Sequence, residues 1–276
     1  MKFCVIIINY NTKNNVLNLL VDFKQIDSDI FIWDNSNIAN EVLAQSELIG
    51  LNDRAQVITS DLNLGFGKSI NNVLLNFSII DNYDYFVLWN SDCELNAEYF
   101  KEIIESIIIN NRIDIIAPRL YDGNEFYYGS KLSWHFLTSN IIRDENYNYS
   151  NSLSWPTAAA LFIPTHALSE FPLFDPFFFM YWEDADLIQR LKKNGIVVTN
   201  FCSKHDFYFR HLPGHSSKSN LINRFLWHLE GHRYFVKKHV RFSTIPLVLL
   251  NVKYLVKAII DGDFNRLKAI INFLKG

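Results

Sequence analysis

The chain has 276 residues, of which 49% are hydrophobic and 15% aromatic, ample for a packed core and unlike a disordered segment. Its three cysteines, Cys4, Cys93 and Cys202, form no CxxC pair, which argues against a disulfide scaffold or a structural zinc site and suits a reducing compartment. The formal charge of −3 is uneven: residues 231–276 carry nine Lys/Arg against Asp261 and Asp263, so that segment is +7 and the rest of the chain −10.

The N-terminus enters Phe3-Cys4-Val5-Ile6-Ile7-Ile8 directly, too short a run for a secretory signal, and reads as a strand over 3–8. No stretch reaches the roughly 18 uncharged apolar residues of a spanning helix, so a cytoplasmic chain is expected. After the loop Asn9-Tyr10-Asn11-Thr12, a helix is predicted near 14–25, with Val16, Leu19, Leu20 and Phe23 on one face. A strand over 29–33 ends at Asp34-Asn35-Ser36, and a helix near 38–48 and a strand over 56–59 follow. Past the loop "SDLNLGFGKS", a helix runs to about 79, and the apolar run Tyr85 to Trp89 marks a strand over 84–89. Strands separated by helical patterns predict βαβ units and a parallel sheet. Residues 120–156, rich in Tyr, Ser and Asn, predict a loop-rich insertion or a β-meander.

Polar clusters close three of these strands, at Asn9 to Asn11, Asp34-Asn35 and Asn90-Ser91-Asp92. Each alone reads as an ordinary turn, because Asn, Asp and Ser make Asx-turns and caps. Right-handed crossovers bring all three to one sheet edge, the edge where open α/β sheets bind ligands, and together they favour a site. The glycine loop Leu62 to Ser69 has neither P-loop nor dinucleotide spacing, though a helix start beside glycines can receive a phosphate or sugar hydroxyls.

The stretch "FDPFFFMYWEDADLIQRLKKNG", residues 174–195, predicts a helix from Glu183 to Lys193. Acids in its first turn suit the helix dipole, which is a sufficient structural reason for them. The aromatics Phe177, Phe178, Phe179, Tyr181 and Trp182 just before it would partly bury those carboxylates, a setting in which one can serve as a general base. Further on, "PLVLLNVKYLVKAII" places Lys253 and Lys257 on one helical face. Such a helix can lie on an anionic membrane surface or pack on the domain with its lysines solvated.

The segments "VIIINYN", "IFIWDNSN", "NLGFGKSINN", "YFVLWNSDCEL", "FDPFFFMYWEDADLIQRLKKNG" and "HLPGHS" together resemble glycosyltransferase family 2, closest to its bacterial rhamnosyltransferase-like branch. They occur in the family's order over residues 3 to about 240. The resemblance implies a GT-A fold: an α/β domain with a Rossmann-like, mostly parallel central sheet flanked by helices. The domain would cover 1–230, with a nucleotide-sugar half over 1–119 and an acceptor half over 120–230; residues 231–276 would form a basic amphipathic helical C-terminal extension.

The resemblance also implies sites and chemistry. Asn90-Ser91-Asp92 stands in place of the DxD motif, so Asp92 would ligate Mg²⁺ or Mn²⁺ bridging the donor phosphates, with Asn90 contacting ribose or phosphate. Among the histidines, His211 and His215 alone would read as loop residues or as an i, i+4 metal pair; the family's "H..G.S" signature favours His211 as the second metal ligand. Asp184 matches the "ED" aspartate and would be the general base for inverting displacement, with Glu183 and Asp186 orienting the site. Tyr10, Asn11 and Asp34 would grip nucleobase and ribose, and Asn63, Gly65 and Phe66 would line the donor crevice. One departure is Trp155-Pro156-Thr157-Ala158-Ala159-Ala160, where the family often has a glycine; the added methyl groups would narrow the donor-sugar pocket.

The expected partners are a nucleotide-sugar donor, dTDP-rhamnose or a UDP-sugar, and a saccharide or lipid-linked saccharide acceptor in bacterial surface polysaccharide (lipopolysaccharide or capsule) synthesis. Peripheral membrane contact through the C-terminus is the further expectation, and no nucleic-acid partner is expected. A nucleotidyltransferase would need a basic glycine-rich loop near the N-terminus, and residues 9–15 contain no glycine. A non-catalytic saccharide-binding relative would be marked by loss of the base or metal acids, and both Asp184 and Asp92 are present.

Overall fold

In the computed structural model of the chain, residues 1–77, 82–133, 138–150, 152–169, 172–212 and 221–275 are described. The first half runs β1 (Phe3–Asn9), α1 (Lys13–Phe23), β2 (Asp29–Asp34), α2 (Gln45–Leu48), β3 (Ala55–Thr59), α3 (Phe66–Asn76), β4 (Tyr85–Asn90), β5 (Cys93–Glu94), α4 (Ala97–Ile109) and β6 (Ile115–Pro118). Short strands follow: β7 (Leu120–Tyr121), β8 (Phe126–Tyr127), β9 (Gly129–Ser133), β10 (Thr138–Ile142), β11 (Ser154–Pro156) and β12 (Ala160–Pro164). Then come α5 (Glu183–Lys193), β13 (Val198–Phe201), β14 (Phe209–His211), α6 (Leu221–His239), α7 (Thr244–Ile260) and α8 (Phe264–Lys275).

The central sheet has seven strands in the order β13-β6-β12-β4-β1-β2-β3. The block β4-β1-β2-β3 is parallel, and β12 runs antiparallel to both β4 and β6. Alternation along the strands divides the core into two layers, as the two-residue period of a pleated strand requires. Cys4 and Ile6 of β1 join Phe86 and Leu88 of β4 on the face covered by α3 and α5. Val5 and Ile7 join Tyr85, Val87 and Trp89 on the face covered by α1 and α4. Both faces are covered, which is why these strands read as unbroken apolar runs.

Several expected elements are modified. The helix near 38–48 is replaced by a 3₁₀ turn over Ala39–Glu41 and the single-turn α2. The cause is local competition for backbone groups. Asp34 Oδ2 takes the Leu43 N–H at 2.6 Å, and Asn9 Nδ2 donates to the Glu41 carbonyl at 3.2 Å. Helix α3 ends at Asn76, and the predicted continuation through 78–79 lies outside the described residues. Within 120–156 short strands form, divided between the sheets β10-β9-β11 and β5-β14-β7-β8; β9 lies between β10 and β11, so the order is not that of a meander. Strands of two to five residues are too short to print a readable period.

Helix α5 spans Glu183–Lys193 as predicted and buries Leu187, Ile188 and Leu191. Helix α6 packs over the segment just before it. A Cβ on Gly231 would lie 2.9 Å from the Tyr181 carbonyl oxygen, so a glycine there permits the approach. The expected boundary between 230 and 231 falls inside α6.

Candidate active site

The carboxyl ends of β1, β2 and β4 meet at one sheet edge, where a cavity of about 370 Å³ opens. Of the residues anticipated from sequence, Tyr10, Asn63, Gly65, Phe66, Asn90, Asp92, Asp184 and His211 line it. Asn11 and Asp34 are not among its lining residues. Asp34 is fully buried and binds its own strand ends together. Its Oδ1 accepts from Asn9 Nδ2 at 3.0 Å and from the Ser36 N–H at 2.8 Å, while Oδ2 takes Leu43. Asn11 ties the loop after β1 to the loop after β2, its Oδ1 accepting the N–H groups of Asn37 and Ile38, each at 3.2 Å.

The glycine loop earns its composition by close approach. Gly65 has φ 77°, and a Cβ there would sit 2.0 Å from the Phe179 carbonyl oxygen. The Phe66 N–H donates to that same carbonyl at 3.2 Å, so the start of α3 is fastened to the aromatic block ahead of α5. The Gly65 wall of the cavity and the wall leading into α5 are thereby joined through backbone.

At the end of β4, His211 Nε2 stands 3.4 Å from Asp92 Oδ1, both side chains more than 90% buried. Antiparallel pairing sets the imidazole in place: β14 pairs with β5 so that His211 lies opposite Cys93, and the Leu212 N–H donates to the Asp92 carbonyl at 3.3 Å. The Tyr127 hydroxyl lies 2.5 Å from His211 Nδ1, fixing the ring and leaving Nε2 toward Asp92. A carboxylate and an imidazole at the mouth of a cavity suit Mg²⁺ or Mn²⁺. Among the described residues no group of three or more His, Cys, Asp or Glu side chains could hold a metal, so a cation here would complete its shell with water or with oxygens of a bound phosphate. His215 lies outside the described residues.

Across the cavity, two bulky residues introduce α5 in left-handed backbone, Tyr181 at φ 71° and Trp182 at φ 70°. Such conformations cost on the order of 1–3 kcal/mol each and persist only where packing dictates them. Here Trp182 stacks on His232 of α6, ring centroids 4.0 Å apart at 14°. The turn aims Glu183 and Asp184 into the cavity.

Burial raises the pKa of both carboxyls, and by more for Glu183, which also faces the Asp184 charge. Glu183 Oε2 is buried without a hydrogen-bond partner, so the neutral acid is the favoured form. For Asp184, the backbone N–H groups of Ala185 and Ala158 oppose the effect of burial, and its Oδ1 accepts from Ala185 at 2.7 Å. Asp184 is thus the member of the pair that ionises first, with a raised basicity suited to accepting a proton near neutral pH.

Asp186 is directed elsewhere. Fully buried, it accepts from Arg190 Nε at 2.8 Å, Lys238 Nζ at 2.7 Å and His239 Nε2 at 2.8 Å, which together hold its carboxyl at about 2 despite burial. It is absent from the cavity lining. Its partners sit on α5 and α6, so it fastens helix to helix.

Sequence reasoning missed part of the wall. Ser130 and, from α6, Arg224 and His228 also line the cavity, beside Trp155, Thr157, Ala158 and Ala159 of the segment expected to narrow it. Arg224 Nε donates to the Tyr181 hydroxyl at 3.0 Å, and burial lowers the His228 pKa to about 4, leaving it neutral. The signal was the spacing of Arg224, His228 and His232 at every fourth position, one face of a helix.

The profile of the family described as "Glycosyl transferase family 2" matches residues 4–176. The chain belongs to this family. No curated protein sequence matches it. Among solved structures, this family 2 chain superimposes on TarS of S. aureus with a TM-score of 0.57 at 15% identity, over 98% of this chain and 55% of that one. It is likewise similar to a mannosyltransferase, PcManGT from Pyrobaculum calidifontis, solved with GDP-Man and Mn²⁺: TM-score 0.58, 9% identity, 99% of this chain and 79% of that one. GalNAc-T7, solved with UDP, GalNAc and Mn²⁺, gives 0.58 at 14% identity over 86% of this chain and 48% of that one. The chain spans about half the length of the TarS and GalNAc-T7 structures it matches. At these identities the likeness shows the fold, which is the GT-A arrangement of a mostly parallel sheet flanked by helices, with a helical C-terminal stretch.

Proposed function

We propose that this family 2 glycosyltransferase moves a sugar from a nucleoside-diphosphate donor to an acceptor hydroxyl with inversion, Asp184 taking the acceptor proton. One observation carries the reading: an ionisable carboxylate, Asp184, and the Asp92–His211 pair line one cavity, while the neighbouring acid Glu183 is held neutral. Asp92 and His211 would hold Mg²⁺ or Mn²⁺, which supplies charge neutralisation for the departing diphosphate. Mn²⁺ accompanies UDP or GDP-Man in the two neighbouring structures. Asp184 accepts the acceptor hydroxyl's proton as that oxygen attacks the anomeric carbon. With Asp92 assigned to the cation and Glu183 protonated, no second carboxylate among the described lining residues serves as a nucleophile, which favours single displacement.

Tyr10, Asn63, Gly65, Phe66 and Asn90 are assigned to the donor side, where Asn35 joins them. Asn11 and Asp34 act one layer back, shaping the β1 and β2 ends that carry Tyr10 and Asn35. The donor is dTDP-rhamnose or a UDP-sugar, held where Trp155, Thr157, Ala158 and Ala159 narrow the pocket. The acceptor is a saccharide, free or lipid-linked, at the cytoplasmic face of the membrane, and the product belongs to a bacterial surface polysaccharide such as lipopolysaccharide or capsule. A thermal-shift screen of nucleotide sugars with Mn²⁺ should raise the melting temperature for one donor, with no such shift in EDTA. NMR of the product should then show the anomeric configuration inverted; retention would exclude the single-displacement reading.

A further inference from the structure

Helix α7 has two apolar faces, and among the described residues only one is packed inside the molecule. Leu250, Tyr254 and Ala258 are buried, and the Tyr254 hydroxyl lies 3.0 Å from His232 Nδ1, so that side is packed on α6. On the opposite side Ile245, Val248, Leu249, Val252, Val256 and Ile259 follow helical spacing and are 47–70% exposed. A single exposed apolar side chain needs no explanation, but an aligned row along a 17-residue helix does.

The charge around this row decides what covers it. Helix α7 contains no acid, and Lys253 and Lys257 border the row on one side. In 231–276 the two acids, Asp261 and Asp263, both lie beside the Arg266 guanidinium, at 3.4 and 3.5 Å. Of the segment's Lys and Arg, Lys238 is balanced by Asp175 and Asp186 outside it, while Lys257 is exposed at the edge of the row. Among the described residues no helix is long and apolar enough to cross a membrane. A helix with an apolar outer face, a basic border and insufficient length to span has the chemistry of one lying in a lipid–water interface.

We infer that the outward face of α7 docks this chain on an anionic lipid surface, its apolar row in the acyl boundary and its lysines among the headgroup phosphates. A second copy of the chain would satisfy the apolar row but would set the lysine borders of the two copies near one another. Anionic headgroups match both features.

The test is flotation of the full chain with phosphatidylglycerol–phosphatidylcholine vesicles, against vesicles of phosphatidylcholine alone. Binding should favour the anionic vesicles and weaken when salt rises to about 1 M, where the screening length falls to about 3 Å. Lys253→Gln with Lys257→Gln should weaken it about tenfold or more. Val252→Glu with Val256→Glu should abolish binding while leaving the melting temperature and donor binding unchanged, since both positions face outward. Equal binding to both vesicle types, or unchanged binding by the Val→Glu variant, overturns the proposal. So does a dimer that the Val→Glu variant converts to monomer with no vesicle binding by either form. Because flotation reads no sugar transfer, its outcome stands apart from the assignment of the reaction.

Discussion

The two sides of the first turn of α5 hold acids that are neighbours in sequence and opposites in environment. Toward the cavity, Glu183 and Asp184 are buried beside aromatic rings with few donors, and their pKa values rise. Toward α6, Asp186 is more deeply buried still, yet its carboxyl is held at about 2, because Arg190, Lys238 and His239 surround it. Within that knot, Lys193 Nζ lies 3.3 Å from His239 Nδ1, so the imidazole presents its Nε2–H to Asp186 as a neutral donor. Burial keeps His239 below its ordinary value, and the positive charges facing Asp186 come from Arg190 and Lys238. Burial alone does not settle an acid's role; what donates to it does. The sparsely partnered side faces the cavity and is the one to which the proposed reaction assigns the base, while the fully partnered side fastens α5 to α6.

The largest stability effect should come from breaking the structural side. Asp186→Asn leaves Arg190 without its buried carboxylate and Lys238 with Asp175 alone, and breaking a buried pair in this way typically costs about 3–5 kcal/mol. The melting temperature should fall sharply, while turnover per folded molecule stays close to wild type. A D186N enzyme that is stable but inactive would move Asp186 into the reaction.

A smaller effect is expected at the cation pair. Asp92→Asn and His211→Ala should each weaken Mn²⁺-dependent donor binding by about tenfold or more, roughly 1.4 kcal/mol, and calorimetry with and without EDTA would read it. Equal donor affinity in EDTA for the wild type would remove the metal from the account.

A pH-dependent effect tests the neutral acid. A carboxyl whose folded pKa is raised binds more protons folded than unfolded, so it costs stability progressively as pH rises from about 4.5 to about 8. Glu183→Gln keeps the shape without the titration. Its melting temperature should match the wild type near pH 4 and gain on it through that window. A difference that stays constant with pH would show that Glu183 is not held neutral.

Much of this comparison was readable from sequence. The α5 boundaries, the parallel block β4-β1-β2-β3 and the convergence of polar strand ends all follow from hydrophobic period and crossover handedness. The sorting of Glu183, Asp184 and Asp186 was not, because the partners of Asp186 lie about fifty residues away on α6. Asp34 was anticipated as a nucleotide contact for a similar reason, since its Leu43 bond depends on a turn that replaced a predicted helix. Arg224 and His228 reach the cavity only because Gly231 lets α6 close on Tyr181, a contact no periodicity encodes. At α7, the spacing of Lys253 and Lys257 was visible, but which face turned inward depended on packing against α6.

The central claim is that Asp184 is the base, and the direct measurement is single-turnover transfer by Asp184→Asn alongside its donor affinity and melting temperature. A positioned carboxylate base contributes about 10²–10⁴-fold, so transfer should fall by at least about a hundredfold with donor affinity nearly unchanged. The wild-type rate should in turn decline as pH drops through about 6, where Asp184 takes up its proton. Near-normal transfer by a D184N enzyme that merely melts early would contradict the account and make Asp184 a helix-start charge.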